Sequence, residues 1–164
     1  MTKPIVIAVS GWKNAGKTTL IEKLLPQMRQ KGLRVAVIKH DGHTFAAEPE
    51  NVDTGRFLAA GAYGTAVYDS EKCKIVLHKH VDEHQLALEF PEADLILFEG
   101  GRYSRWPKLE VLREGKPVCI PETVLALVSD LPVKYPGVST VSPSDIIKIS
   151  DIILAYVNEV QGCD

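Results

Sequence analysis

Cysteine is scarce in this chain. Cys73, Cys119 and Cys163 are far apart and odd in number among 164 residues, and no Cys-x-x-Cys pair occurs. That argues against a disulfide framework and against a zinc knuckle, and free thiols fit a reducing cytoplasm. An excess of charge of one sign is also missing. The net charge is −2, so no general attraction to nucleic acid or to a membrane surface is expected. No apolar run approaches the roughly 20 residues that a membrane span needs. The first strand starts close behind Met1 and leaves no room for a signal peptide, so a cytoplasmic protein is expected. Repeats, linkers and low-complexity stretches are absent too. What remains is 45% apolar and 24% charged, which predicts one globular domain over residues 1–164 with a substantial core.

The strongest positive signal is Gly11-Trp12-Lys13-Asn14-Ala15-Gly16-Lys17-Thr18. It fits G-x-x-x-x-G-K-[ST], the phosphate-binding P-loop. Ile5 to Ser10 before it is a β-branched apolar run that reads as a buried strand. After it, apolar residues at 20, 21, 24, 25 and 28 mark one face of a helix. In that setting glycines let backbone amides curl around phosphate oxygens, and the helix N-terminus adds a favourable dipole. Lys17 is the candidate for the β- and γ-phosphates, and the Thr18 hydroxyl for Mg²⁺. Lys13, inside the same loop, is a further candidate on the nucleotide side.

The helix is expected from Lys17 to Lys31, stopped at Gly32, with Pro26 kinking or dividing it. Residues 33–39 form the next strand, which completes a βαβ unit and predicts a parallel sheet. Lys39-His40-Asp41-Gly42-His43 leaves the carboxyl end of that strand, where parallel sheets gather ligands. Asp41 is a candidate for Mg²⁺, and His43 for the γ-phosphate or an attacking water; a polar turn is the plainer alternative. A short helix over 51–60, with Phe57 and Leu58 inward, precedes two strands at 63–68 and 74–78 with hairpin spacing. His78, His80 and His84 lack the partners of a metal ligand set and read as solvent-facing.

A short helix near Glu83–Glu89 leads to Asp94-Leu95-Ile96-Leu97-Phe98-Glu99-Gly100, which reads as a central parallel strand. Two carboxylates compete there for the place near the metal. They lie about 16 Å apart along a strand. Only Glu99 is at the end that faces the P-loop, so Glu99 is chosen and Asp94 is a boundary residue. Gly101 to Pro107 carries Arg102, Tyr103, Arg105 and Trp106. Either arginine is a candidate for a bidentate phosphate contact, and the rings for stacking; a plain surface loop or a subunit contact is the alternative. Residues 108–113 and 116–120 read as another hairpin around Glu114-Gly115.

Val124 to Val128 is a further buried strand, with Ser129-Asp130 at its end. A carboxylate there is suited to the N1 and N2 donors of guanine, which adenine lacks; the alternative is a turn before Pro132. A last short strand spans 138–141. Ser142-Pro143-Ser144-Asp145 then signals a helix start, with Ser142 as N-cap. Ile146, Ile149, Ile153, Tyr156 and Val160 form the inward face of that helix. The element pattern predicts an α/β fold of the P-loop NTPase type: a three-layer sandwich whose mostly parallel sheet carries antiparallel hairpin additions.

With these residues in hand, the chain resembles the MobB family, molybdopterin-guanine dinucleotide biosynthesis protein B. The resemblance rests on Gly11 to Ile21, on Ile38 to His43, on Asp53-Thr54 with Arg56 and Ala59 to Ala62, on Asp94 to Gly100, and on Pro107 to Val111. It implies a GTP-binding P-loop protein with weak GTPase activity that forms a homodimer. It also implies assistance to a partner enzyme, MobA, which attaches GMP to molybdopterin. Gly11, Asn14, Ala15, Gly16, Lys17, Thr18 and Thr19 carry over as nucleotide residues. Asp41 and Glu99 look like the family's metal-side acids, and Ser129-Asp130 resembles its base-side segment. Asn-Lys-x-Asp, the common guanine motif, does not occur, and Trp12 stands where one group of dimeric ATPases has a lysine. The expected function is thus a Mg²⁺-dependent GTP-binding adaptor, or slow GTPase, in molybdenum cofactor biosynthesis. A small-molecule kinase, with Arg102 and Arg105 on a lid, is one alternative. A nucleotide-switched interaction module is the other.

Overall fold

The P-loop is delivered by β1, Ile5–Gly11, and drawn into α1, Lys17–Gln30. The computed structural model describes residues 4–41, 48–133 and 135–162. They form two compact units, residues 1–40 with 83–164 and residues 41–82.

In the larger unit, β1 is joined by β2 (Val35–Lys39), β5 (Leu95–Glu99), β6 (Lys108–Val111), β7 (Val124–Val128) and β8 (Thr140–Val141). The sheet order is β2-β5-β1-β6-β7-β8, and every pairing is parallel. Alternation along the strands divides the core. Ile7, Val9, Leu97 and Leu109 face α1 and α4 (Ile146–Gln161), meeting Leu20, Leu24, Met28, Ile149 and Ile153. Val6, Ala8, Ile96 and Phe98 face the other way, toward Ala87 of α3 (Glu83–Leu88) and Trp106. This is the expected three-layer α/β sandwich. Strands buried on both faces read as near-continuous apolar runs, which is why β1, β5 and β7 were plain in the sequence.

Several expectations are corrected. Residues 108–113 and 116–120 do not form a hairpin. β6 is an interior strand between β1 and β7, and 116–120 is loop. The Glu110 carboxylate explains it: Oε1 accepts from the amides of Val118 at 2.6 Å and Cys119 at 3.2 Å, so a side chain replaces a strand partner. α1 is not divided at Pro26. Pro26 and Glu22 are on the exposed face, where water can take the carbonyl the proline leaves unpaired. The N-cap of α4 is Asp145, accepting from the Lys148 amide at 3.1 Å, while the Ser142 hydroxyl accepts from Ser144 N.

The smaller unit contains α2 (Asp53–Ala59) and the antiparallel pair β3 (Gly64–Tyr68) and β4 (Cys73–Leu77). The Asp69 carboxylate takes the amides of Glu71 and Lys72 and closes the turn between the strands. Phe57 is 58% exposed rather than inward. The side of α2 that is covered centres on Gly55, where an added Cβ would lie 2.1 Å from the Pro49 carbonyl oxygen.

Candidate functional site

The site begins with backbone shape. Gly11, Asn14 and Gly16 all take positive φ, 137°, 62° and 98°. At Gly11 a side chain is also barred by space, because an added Cβ would sit 2.2 Å from the Val111 carbonyl oxygen. The loop then enters α1 with no side-chain cap and no acidic residue in the first turn. First-turn amides with no capping acceptor, at the positive end of a helix, form an anion site. Lys17 curls over the loop, its Nζ donating to Trp12 O at 2.7 Å and Gly11 O at 3.3 Å. Desolvation pushes the Lys17 pKa down, the nearby Glu99 charge opposes that, and Arg102 and Lys39 reinforce it.

Glu99 is carried to the loop by register. It pairs with Val9 of β1 and Lys39 of β2 at the carboxyl edge of the sheet. Thr18 Oγ1 donates to both Glu99 oxygens, at 3.0 and 3.1 Å, and Lys39 Nζ lies 3.6 Å from Oε1. Just beyond, Ser10 Oγ donates to the Gly100 carbonyl, which ties the start of the next loop to β1. Asp94 marks the opposite end of β5, accepting from Arg34 N at 2.7 Å and pairing with Arg34 Nε at 3.6 Å. Thr18 and Glu99 fit a small divalent cation, since Mg²⁺ keeps several waters and takes one or two carboxylates plus substrate phosphates. Among the described residues no group of three or more His, Cys, Asp and Glu is gathered to hold a metal without such help.

Beside the loop lies a cleft of about 360 Å³ lined by Ala15, Gly16, Thr19, Lys23, Asp130 and Pro143, among others. Asp130 and Thr19 thus share one cavity. Ser129 is buried, and its hydroxyl accepts from Leu131 N at 3.1 Å, so it shapes the turn that presents Asp130. Lys13 is exposed. Asp41 is the first residue of the smaller unit. His43 lies outside the described residues.

The loop after Glu99 separates the two arginines. Arg102 Cζ stands 4.9 Å from the centre of the Trp12 ring and 5.3 Å from that of Tyr103, whereas Arg105 is exposed. Trp12 also donates Nε1 to Lys116 O at 3.3 Å. Beneath, Lys108 is fully buried and donates Nζ to Ser104 O at 2.6 Å and Gly101 O at 3.2 Å. Desolvation lowers the Lys108 pKa, countered by Cys119 and Glu110. Burial, with Glu110 beside it, pushes the Cys119 thiol up to about 12. Sequence reasoning named Trp12, Lys108 and Glu110 but gave them no role in the site. Lys108 and Glu110 fell in the segment read as one arm of a hairpin around Glu114-Gly115.

A family model for molybdopterin guanine dinucleotide synthesis protein B, MobB, matches residues 6–130, from β1 through Asp130. The chain belongs to the MobB family. A molybdopterin-guanine dinucleotide biosynthesis adapter protein of Escherichia coli is 27% identical over 169 residues, covering 96% of this chain and 95% of that one. A probable adapter protein of the same kind from Bacillus subtilis is 34% identical over 115 residues, 66% of this chain and 65% of that one. The crystal structure of Bacillus subtilis MobB matches with a TM-score of 0.74 at 28% identity, covering 92% of this chain and 96% of that one. No helix among the described residues is long and apolar enough to cross a membrane.

Proposed function

We propose that this chain is a Mg²⁺-dependent GTP-binding adaptor in the biosynthesis of molybdopterin guanine dinucleotide, with slow GTP hydrolysis. The observation that carries the reading is the uncapped start of α1 beneath a left-handed loop, with Thr18 joined to Glu99 at its side. Its relatives in Escherichia coli and Haemophilus influenzae are named as adapter proteins of that biosynthesis. Lys17 and the loop amides of Gly11 to Thr19 would hold phosphates. Thr18 and Glu99 would hold Mg²⁺, with Asp41 as a second acidic group and His43 near the terminal phosphate. Bound Mg²⁺ supplies charge neutralisation on the phosphates. Glu99 would also orient water. Asp130, in the cleft beside Thr19, would accept from the guanine edge. The partners in this reading are a second copy of the chain and the guanylyltransferase MobA with its molybdopterin, in the cytoplasm.

Calorimetric titration with GTP and with ATP, each with Mg²⁺, tests the reading. GTP should bind more tightly, and Lys17→Ala should abolish binding. Equal affinity for the two nucleotides would remove guanine from the reading, and unchanged binding by Lys17→Ala would remove the site. Phosphate released to water, with none passed to an added acceptor, distinguishes this function from a kinase.

A further inference from the structure

The fold lays Arg102 against a side chain of the P-loop. Its guanidinium lies over Trp12, the second residue of the loop, and beside Tyr103. Its charge reaches Lys17, whose pKa is lowered first by desolvation and then, against Glu99, by Arg102. The loop that carries it is held from three sides. Ser10 Oγ donates to the Gly100 carbonyl. Lys108, an ammonium without solvent access, donates to the carbonyls of Gly101 and Ser104. Ser104 Oγ donates to Gly101 O at 2.8 Å. Gly100 and Gly101 take φ of 130° and 63°, and an added Cβ at Gly101 would meet the Phe98 ring at 2.8 Å. A buried lysine committed to two loop carbonyls costs desolvation, and what it fixes is the position from which Arg102 extends.

We propose that Arg102 distinguishes a nucleoside triphosphate from a diphosphate, resting on Trp12 when the terminal phosphate is absent and pairing with that phosphate when it is present. This rests on the nucleotide reading above. A guanidinium matches phosphate oxygens through two parallel N–H···O bonds, which are stronger than a stacking contact on an exposed ring. Trp12 is 45% exposed and held by Lys116 O, so loss of its cation changes the indole's surroundings directly. The sensor lies in cis, on the loop that follows Glu99, and links the phosphate site to the segments at 101–104 and 116.

The experiment measures affinity for a non-hydrolysable GTP analogue and for GDP, with Mg²⁺, in the wild type, Arg102→Ala and Arg102→Lys. Tryptophan emission is followed in a Trp106→Phe background, where Trp12 is the remaining tryptophan of the two. Arg102→Ala should weaken the triphosphate analogue by about tenfold or more, the scale of a lost charged hydrogen bond, and leave GDP within about twofold. Arg102→Lys should recover part of the loss. Trp12 emission should change with the analogue and not with GDP, and Arg102→Ala should remove that difference. An equal loss for both nucleotides, or none, overturns the role of Arg102 while the nucleotide site stands. Failure of the wild type to bind either nucleotide overturns both readings.

Discussion

Thr18 and Glu99 are 81 residues apart in the chain, yet the threonine hydroxyl donates to both oxygens of the carboxylate, at 3.0 and 3.1 Å. The contact exists because β5 lies parallel beside β1, with Glu99 opposite Val9. Parallel pairing brings both carboxyl ends to one edge, and α1 starts from that same edge. Lys39, opposite Glu99 on β2, supplies a cation 3.6 Å from the carboxylate.

Glu99→Gln keeps the size of the side chain and an acceptor for Thr18 but removes the charge. The Mg²⁺ needed to support GTP binding should rise by about tenfold or more, with little change in nucleotide affinity without Mg²⁺. Titration of Mg²⁺ at fixed GTP reads this out. A Mg²⁺ requirement identical to that of the wild type would take Glu99 out of the metal site.

Asp130 reaches the cleft beside Thr19 from the end of β7. Asp130→Asn offers a donor where guanine also donates. The preference for GTP over ATP should fall by about tenfold, the scale of one charged hydrogen bond. Competition between the two nucleotides measures the ratio, and an unchanged ratio would place guanine recognition elsewhere.

Gly11 and Gly16 separate conformational strain from steric exclusion. Both take positive φ, but only Gly11 would drive a Cβ into backbone, 2.2 Å from Val111 O, while nothing lies within 4 Å at Gly16. Gly16→Ala should cost about 1 kcal/mol, and Gly11→Ala about 3 kcal/mol or more because β6 must shift. Urea denaturation compares them. Equal costs would show that the Val111 contact relaxes freely.

Alkaline pH should weaken the fold through Cys119. Its pKa rises from 9.0 to about 12 on folding. Its contribution is therefore complete below pH 9 and is lost as pH climbs toward 12, on the order of a few kcal/mol. Tyr135, raised from 10.0 to about 12, acts in the same sense, whereas the lowered Lys108 acts in the opposite one. The difference between the wild type and Cys119→Ala isolates the thiol. Stability of Cys119→Ala should decline less steeply above pH 9, and parallel curves would refute the assignment.

The loop with its flanking strand and helix was legible because it is local, and the direction of a parallel strand put Glu99, not Asp94, at the P-loop end of β5. The loop and its flanks need only glycine conformation and apolar periodicity. The hairpin expected at 108–120 failed for an equally definite reason. Lys108 and Glu110 alternate with Leu109 and Val111, a pattern that marks one wet face, yet both charged side chains are buried and bonded to loop backbone. Phe57 failed similarly, since covering of α2 centres on a glycine that no hydrophobic count weighs.

Glycine spacing, Lys17 and Thr18 mark residues 11–18 as a P-loop from the chain alone, because the loop's geometry is written in its own backbone. Which distant groups share that loop is a matter of strand order and register. Tertiary structure set Glu99 against Thr18, opened the Asp130 cleft beside Thr19 and laid Arg102, not Arg105, on Trp12. Those neighbours come from strands and loops far apart in the chain, and no local pattern encodes a contact whose energy arises only once the sheet has assembled.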